Sequence, residues 1–221
     1  MKIIKSFFLL FFFSLPALAQ VKDAGLWLNF AVERKITQKV TMELSQELRL
    51  NENISELATA FTEIGGEYKF NKRFSAGLYY RYIQRRQLND YYLNSHRWFV
   101  DVSYKRKIKK ISLTLRQRLQ SQVRALETSS ESKVPEYYMR TKLTCKLDLD
   151  KKYTPFVSGE IFYPVFNGED LFIDNHRFSV GCDYEFNKRH SVTLFYMINS
   201  EVNVNDPWTD YISGASYKYS F

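Results

Sequence analysis

The residues best able to do chemistry in this chain are three histidines and a large set of opposed charges. Acyl-transfer or hydrolytic chemistry needs a nucleophile, a base and an orienting group within hydrogen-bond reach. His96, His176 and His190 are poor bases for it. None has a serine two residues away on the same strand face, and His190 and Ser191, being adjacent, point to opposite faces. His176 with Asp174 or Glu169 is the least unfavourable constellation, and an exposed loop histidine explains it as well. The spacing shows no phosphate-binding glycine loop, no metal-ligand spacing and no redox cysteine pair. The expectation is a protein that is not an enzyme and needs no cofactor or metal.

The charges are more informative, because they fall on alternate positions. Acids are Glu43, Glu47, Glu63, Glu67, Asp101, Glu160, Asp183 and Glu185; bases are Arg49, Arg81, Arg97, Arg116, Arg118, Arg140, Lys142 and Arg177. The opposite parity is apolar or aromatic. Val40, Met42, Leu44, Leu48 and Leu50 oppose Glu43, Ser45, Glu47 and Arg49; Trp98, Val100, Val102 and Tyr104 oppose Arg97, Asp101 and Lys105. A period of two means strands with two unlike faces.

The pattern predicts eleven strands, at 24–34, 39–51, 57–70, 73–86, 94–107, 110–122, 136–149, 154–163, 175–187, 189–200 and 209–221. Most are longer than the five or six residues usual in soluble domains, and they match the roughly 9–11 that a tilted membrane-crossing strand needs. Short turns (Asn71-Lys72-Arg73, Ile108-Lys109-Lys110, Asp150 to Tyr153, Asn187-Lys188-Arg189) alternate with longer loops at 87–93, 123–135, 164–174 and 201–208. Short turns at one rim and long loops at the other are the pattern of outer-membrane barrels. Tyr91, Tyr92, Tyr137, Tyr138 and Tyr163 near the loops, and Phe70, Phe74, Tyr104, Phe186 and Tyr217 near the turns, are expected to form two interfacial aromatic girdles.

The expected fold is therefore all-β: a transmembrane, antiparallel, up-and-down barrel of about 10–12 strands. Volume decides which face points inward, since a lumen could not hold so many Phe and Tyr rings. The mean hydropathy of −0.38 suits strands with one polar face. Because bacterial single-chain barrels normally have an even strand count, ten or twelve strands are expected in the wall, with the first segment a candidate to thread the lumen.

Export is expected from the first residues. Lys2 and Lys5, an apolar run from Phe7 to Leu15 and Ala17-Leu18-Ala19 read as a signal peptide over residues 1–19, with the barrel domain over 20–221. The formal net charge of +8 falls to +6 without Lys2 and Lys5. An exported protein has little occasion to meet nucleic acid, so none is expected as a partner. Cys145 and Cys182 fall on strands separated by another and are not expected to pair. Tyr217, Tyr219 and Phe221 end the chain on alternate aromatics, which resembles the signal read by the outer-membrane assembly machinery. Localisation in the bacterial outer membrane, contact with its lipid and a monomeric state follow.

Five short motifs, Leu26-Trp27-Leu28, Glu47-Leu48-Arg49, Tyr80-Arg81-Tyr82, Ser158-Gly159-Glu160-Ile161-Phe162 and Asn175-His176-Arg177 leading to Gly181, occur in an order that resembles the domain-of-unknown-function 2490 family of small outer-membrane proteins. The resemblance covers the mature chain and implies the barrel without supplying an activity. Glu47, Arg49, Glu63, Glu67, Arg81, Arg97, Asp101, Arg116, Arg118, Arg140, Glu160 and Arg177 are thus read as a lumen ion network or a pore lining. The main reading is a structural or narrow-channel, porin-like barrel, since a narrow lumen must pair its charges. The alternatives are a conduit for small anionic solutes such as acidic oligosaccharides, an adhesive or assembly role for the long loops, and, less well supported, a lipid-modifying enzyme.

Overall fold

A computed structural model describes residues 21–87, 91–125, 135–149, 152–166 and 172–221. The signal-peptide assignment over 1–19, the tip of the 123–135 loop and Glu169 lie outside the described residues. Eleven strands close into one barrel. They are β1 (Val21–Lys35), β2 (Val40–Asn51), β3 (Glu56–Lys69), β4 (Phe74–Arg86), β5 (Tyr92–Ile108), β6 (Ile111–Ala125), β7 (Glu136–Leu147), β8 (Tyr153–Pro164), β9 (Asn175–Glu185), β10 (His190–Glu201) and β11 (Trp208–Ser220). Each expected strand is present, with ends shifted by a few residues.

The even-count expectation is wrong. All eleven strands stand in the wall, and β1 threads nothing. It pairs antiparallel with β2 and parallel with β11, from Val21 opposite Trp208 to Glu33 opposite Ser220. Ten consecutive antiparallel joins reverse the chain at every step, so an eleventh strand points the same way as the first. Closure is then possible only through a parallel join. The start of β1 therefore lies at the long-loop rim and the end of β11 at the short-turn rim.

Exposure settles the sense of the faces. Leu44, Ile64, Leu78, Trp98, Leu143 and Leu194 are all half or more exposed on the outer wall, whereas Phe61, Phe99, Asp101, Arg118, Arg140 and Glu160 are buried inside. Cys145 and Cys182 are free, on the outward parity of β7 and β9 with β8 between them. One girdle assignment fails. Tyr138 shares the inward parity of Arg140 and lines the lumen.

The short turns repeat one device. Asn71 Oδ1 accepts the backbone N–H groups of Arg73 (2.8 Å) and Phe74 (2.9 Å), and Asn187 Oδ1 those of Arg189 (2.8 Å) and His190 (3.1 Å). The carboxamide satisfies donors that a tight reversal would strand. Inside the wall, three glycines sit in register opposite aromatic residues: Gly65 with Tyr79, Gly181 with Phe156 and Gly214 with Phe195. A Cβ at any of the three would overlap the ring lying on it. Glycine here lets large rings lie flat on the wall, leaving the middle of the lumen for other side chains.

The seam can be checked by cross-linking. With Cys145 and Cys182 changed to serine, Leu28→Cys and Ala215→Cys stand in register on the outer face and should form a disulfide in the folded barrel. Leu28→Cys with Tyr211→Cys should not, because four residues along a strand span about 13 Å. Equal cross-linking of the two pairs would refute the parallel register.

Candidate functional site

Closing the sheet in this register brings the inward charges into rows across neighbouring strands. One row runs Glu63–Arg81–Arg97–Gln122 over β3–β6, a second Asp101–Arg118–Arg140 over β5–β7, and a third Arg116–Lys142–Glu160–Arg177–Asn199 over β6–β10. Strands placed these residues two apart in sequence; only the register decides which of them meet.

Five of the pairings, on four carboxylates, are short. Arg118 grips Asp101 with two parallel bonds of 2.7 Å, through Nε and Nη2. Arg81 Nε donates to Glu63 at 2.7 Å, and Arg49 Nε to Glu47 at 2.6 Å. Glu160 Oε1 accepts from Arg116 Nη2 at 2.7 Å and from Arg140 Nη2 at 2.9 Å. Bidentate arginine–carboxylate contacts are among the stronger hydrogen bonds a side chain can make.

The remaining candidates do not join carboxylates in this way. Arg97 donates to the Gln122 side-chain oxygen, and Arg177 Nε to Asn199 Oδ1 at 2.7 Å. Glu67 lies near the short-turn rim, accepting from Ser75 at 3.3 Å and lying 3.7 Å from Lys69. Two lysines add pairs of their own: Lys146 with Asp183 at 2.6 Å, and Lys218 with Glu43 at 2.9 Å and Glu33 at 3.3 Å.

Sequence reasoning missed the aromatic half of the lumen. Trp27, Phe61, Phe99 and Phe162 share the inward parity with the charges. Arg49 stacks over Trp27 at 3.6 Å, Arg118 over Phe99 at 3.7 Å, Arg81 over Phe61 at 3.8 Å and Arg140 over Phe162 at 4.2 Å. The signal was available, since each ring alternates in step with a neighbouring charge. A guanidinium is weakly hydrated and flat, so a ring face can replace part of its lost water.

A cavity of about 990 Å³ runs between these rows. It reaches from Glu43 and Tyr79, toward the short-turn end, to Val204, Asn205 and Asp206 at the long-loop rim. A smaller space of about 220 Å³ lies at the short-turn end, and Glu43 and Tyr79 line both. Near the loop-side mouth, burial pushes the Asp174 carboxyl above its ordinary range, against a hydrogen bond from Tyr138 that pulls it down. The histidines are elsewhere. His96 and His190 lie on the outer face, with Nδ1 at 2.7 Å from Tyr80 and 2.5 Å from Tyr217 hydroxyls, and His176 is exposed on the outer side of β9 while Asp174 lines the cavity. Among the described residues, no group of three or more His, Cys, Asp or Glu is placed to hold a metal ion.

The family model of proteins of unknown function DUF2490 matches residues 24–210, which take in most of β1, all of β2 to β10 and the start of β11. The chain belongs to this family. Among solved structures, the DUF2490 barrel is similar to the beta domain of the Bordetella autotransporter Brka, with a TM-score of 0.52 at 10% identity over 85% of this chain and 86% of that one. At that identity the likeness concerns the fold alone. The translocator domain of the autotransporter NalP from Neisseria meningitidis is more distant, with a TM-score of 0.41 at 15% identity over 79% of this chain and 73% of that one. No curated protein matches the DUF2490 chain.

Glu160 is the shared acceptor of two arginines inside the wall. Glu160→Ala should lower the unfolding midpoint in urea far more than Val192→Ala on the outer face. Breaking a buried pair leaves an uncompensated charge and typically costs about 3–5 kcal/mol, whereas removing an outer methyl pair from a half-exposed site costs about 1 kcal/mol or less. Arg81→Ala should behave like Glu160→Ala. Equal midpoints for all three variants would show that the inner pairs do not hold the wall together.

Proposed function

We propose that this DUF2490 protein is a monomeric barrel of the bacterial outer membrane, with a narrow, ion-paired lumen that gives it a structural or narrow-channel role and no catalytic chemistry. The observation that carries the reading is the apolar belt. Leu28, Leu44, Ile64, Leu78, Trp98 and Val180, among others around the wall, are exposed on the outside. Water-soluble monomers rarely expose contiguous apolar surface beyond a few hundred Å², and a belt around the whole wall is matched by a hydrocarbon solvent. Strands of 11–17 residues are long enough to cross it with tilt.

Aromatic pairs at the ends of the strands fit headgroup depth. At the short-turn end these are Phe30 with Tyr217, Phe74 with Tyr104 and Tyr184 with Phe186; at the loop end, Tyr137 with Phe166. Tyr219 packs edge-on against Phe221, 4.7 Å between ring centroids, where β11 ends at the short-turn rim. That terminal set of Tyr217, Tyr219 and Phe221 suits recognition by the assembly machinery after export through the signal peptide. His96 and His190 lie on the outer face, away from the cavity, with their Nδ1 atoms held by tyrosine hydroxyls, a placement that suits a non-catalytic role.

Two measurements test the reading. With Trp27 and Trp208 changed to phenylalanine, the fluorescence of Trp98 should be strongly quenched by brominated lipid in refolded proteoliposomes; quenching no greater than in detergent-free buffer would argue against a lipid-facing belt. In planar bilayers the same protein should conduct only in small steps or not at all, because arginine–aromatic stacks occupy its lumen. Large open-pore steps would overturn the narrow lumen.

A further inference from the structure

The third row of lumen charges is out of balance. Arg116, Lys142 and Arg177 lie in the same row as Glu160, and Arg140 reaches it from β7. Four cations thus share one carboxylate. Only Arg116 and Arg140 bond to it, both through Oε1. The nearest other acid, Asp101, is taken by both bonds of Arg118 and stands 3.9 Å from Arg116. Within the second and third rows, five cations therefore face two carboxylates.

Two donor groups there are unspent, and a third cation has no carboxylate partner. Lys142 lines the cavity and makes no hydrogen bond or ion pair among the described residues, although Glu160, Arg116, Arg140 and Arg177 are the charges that act on it most strongly. Arg116 Nε is buried without a partner. Arg177 has a neutral amide as its hydrogen-bond partner and stacks over Phe162 at 4.5 Å. Charges held away from water without counter-charge are costly, and this excess stands beside open space of a size that holds small ligands.

We infer that this wall is a binding site for a soluble oxyanion carrying two or more negative charges, of the phosphate or phosphate-ester class, entering from the long-loop rim. The inference rests on the proposed reading only in placing these side chains in an enclosed lumen, whose cavity reaches the long-loop rim at Val204, Asn205 and Asp206. A single carboxylate would neutralise one of the three excess charges. A phosphate group offers more charge and several acceptor oxygens at one centre, which suits a lysine point charge flanked by guanidinium donors. A lipid phosphate is a poor candidate, because the site faces the lumen and the lipid belt lies on the other side of the wall.

The test uses the refolded protein in detergent, titrated by calorimetry with inorganic pyrophosphate and, separately, with sodium chloride at matched ionic strength. Saturable heat is expected with pyrophosphate and none with chloride. Lys142→Met should lose about tenfold or more in affinity, the loss of one charge-assisted contact, while keeping the heat-modifiable gel shift of the folded barrel, since Lys142 holds no pair. Glu160→Gln should bind pyrophosphate more tightly than the unaltered protein and should regain lost heat resistance when pyrophosphate is added. Val192→Ala should change nothing. Absence of saturable binding to folded protein, equal affinity in Lys142→Met, or an equal response to chloride, the outcome for an adventitious counter-ion, would each overturn the site. If binding fails while Trp98 remains quenched by brominated lipid, the outer-membrane reading stands without the site; if binding holds without quenching, the reverse is true.

Discussion

Everything in this molecule depends on the closure of a sheet that has an apolar outer face. Each strand hydrogen-bonds to two neighbours, so no row of peptide groups is left open at an edge. An open edge could not be tolerated where the surroundings offer no hydrogen bonds. Closure in turn creates an enclosed interior, and alternation along the strands delivers to it every second side chain. A polar interior is thus the obligatory counterpart of an apolar exterior. The lumen chemistry follows from the wall.

That interior is too small to be simply wet and too charged to be simply packed. Rings and guanidinium groups resolve the conflict together. Tyr79 lies flat where Gly65 and Gly77 leave room, and Phe99 stacks on it with 4.9 Å between centroids. Arg118 then lies on Phe99 and reaches Asp101. Ring, guanidinium and carboxylate follow one another again at Phe61, Arg81 and Glu63, and at Phe162, Arg140 and Glu160. This layering holds the long side chains in one arrangement, which a lumen of freely moving arginines would not do. The β6–β9 side is where this scheme leaves cations over.

Much of this was legible in the sequence, and the reasons for success and failure are specific. Strand positions were readable because period-two alternation runs through 40–50, broken on the apolar parity only at Gln46, and through 97–105. The direction of the faces followed from volume. The strand count in the wall was misjudged because a general preference for even numbers was set above the eleven segments actually visible; nothing in the period of a strand reveals whether its last neighbour runs parallel. Pairings such as Arg118 with Asp101, or Glu160 with both Arg116 and Arg140, needed the register, which joins residues 17 to 44 apart in the chain. The lumen rings went unnoticed because Phe61, Phe99 and Phe162 were not assigned to either face, although their parity placed them with the charges. Tyr138 was misassigned for the converse reason, its position near a loop outweighing its parity.

The parallel seam also says something about how such a wall can be built. Ten of the eleven joins connect strands that follow one another in the chain, so each is a local event that can be added to the last. The seam alone joins distant segments, with Asn29 and Ser216 in contact across 187 positions. The largest single loop-closure cost falls on that one step, and parallel pairing gives slightly less per residue than antiparallel pairing. A growing sheet of this sequence therefore remains an open ribbon with β1 and β11 as its two raw edges until the final join. What turns the ribbon into a tube is a single slow meeting of its oldest and youngest strands.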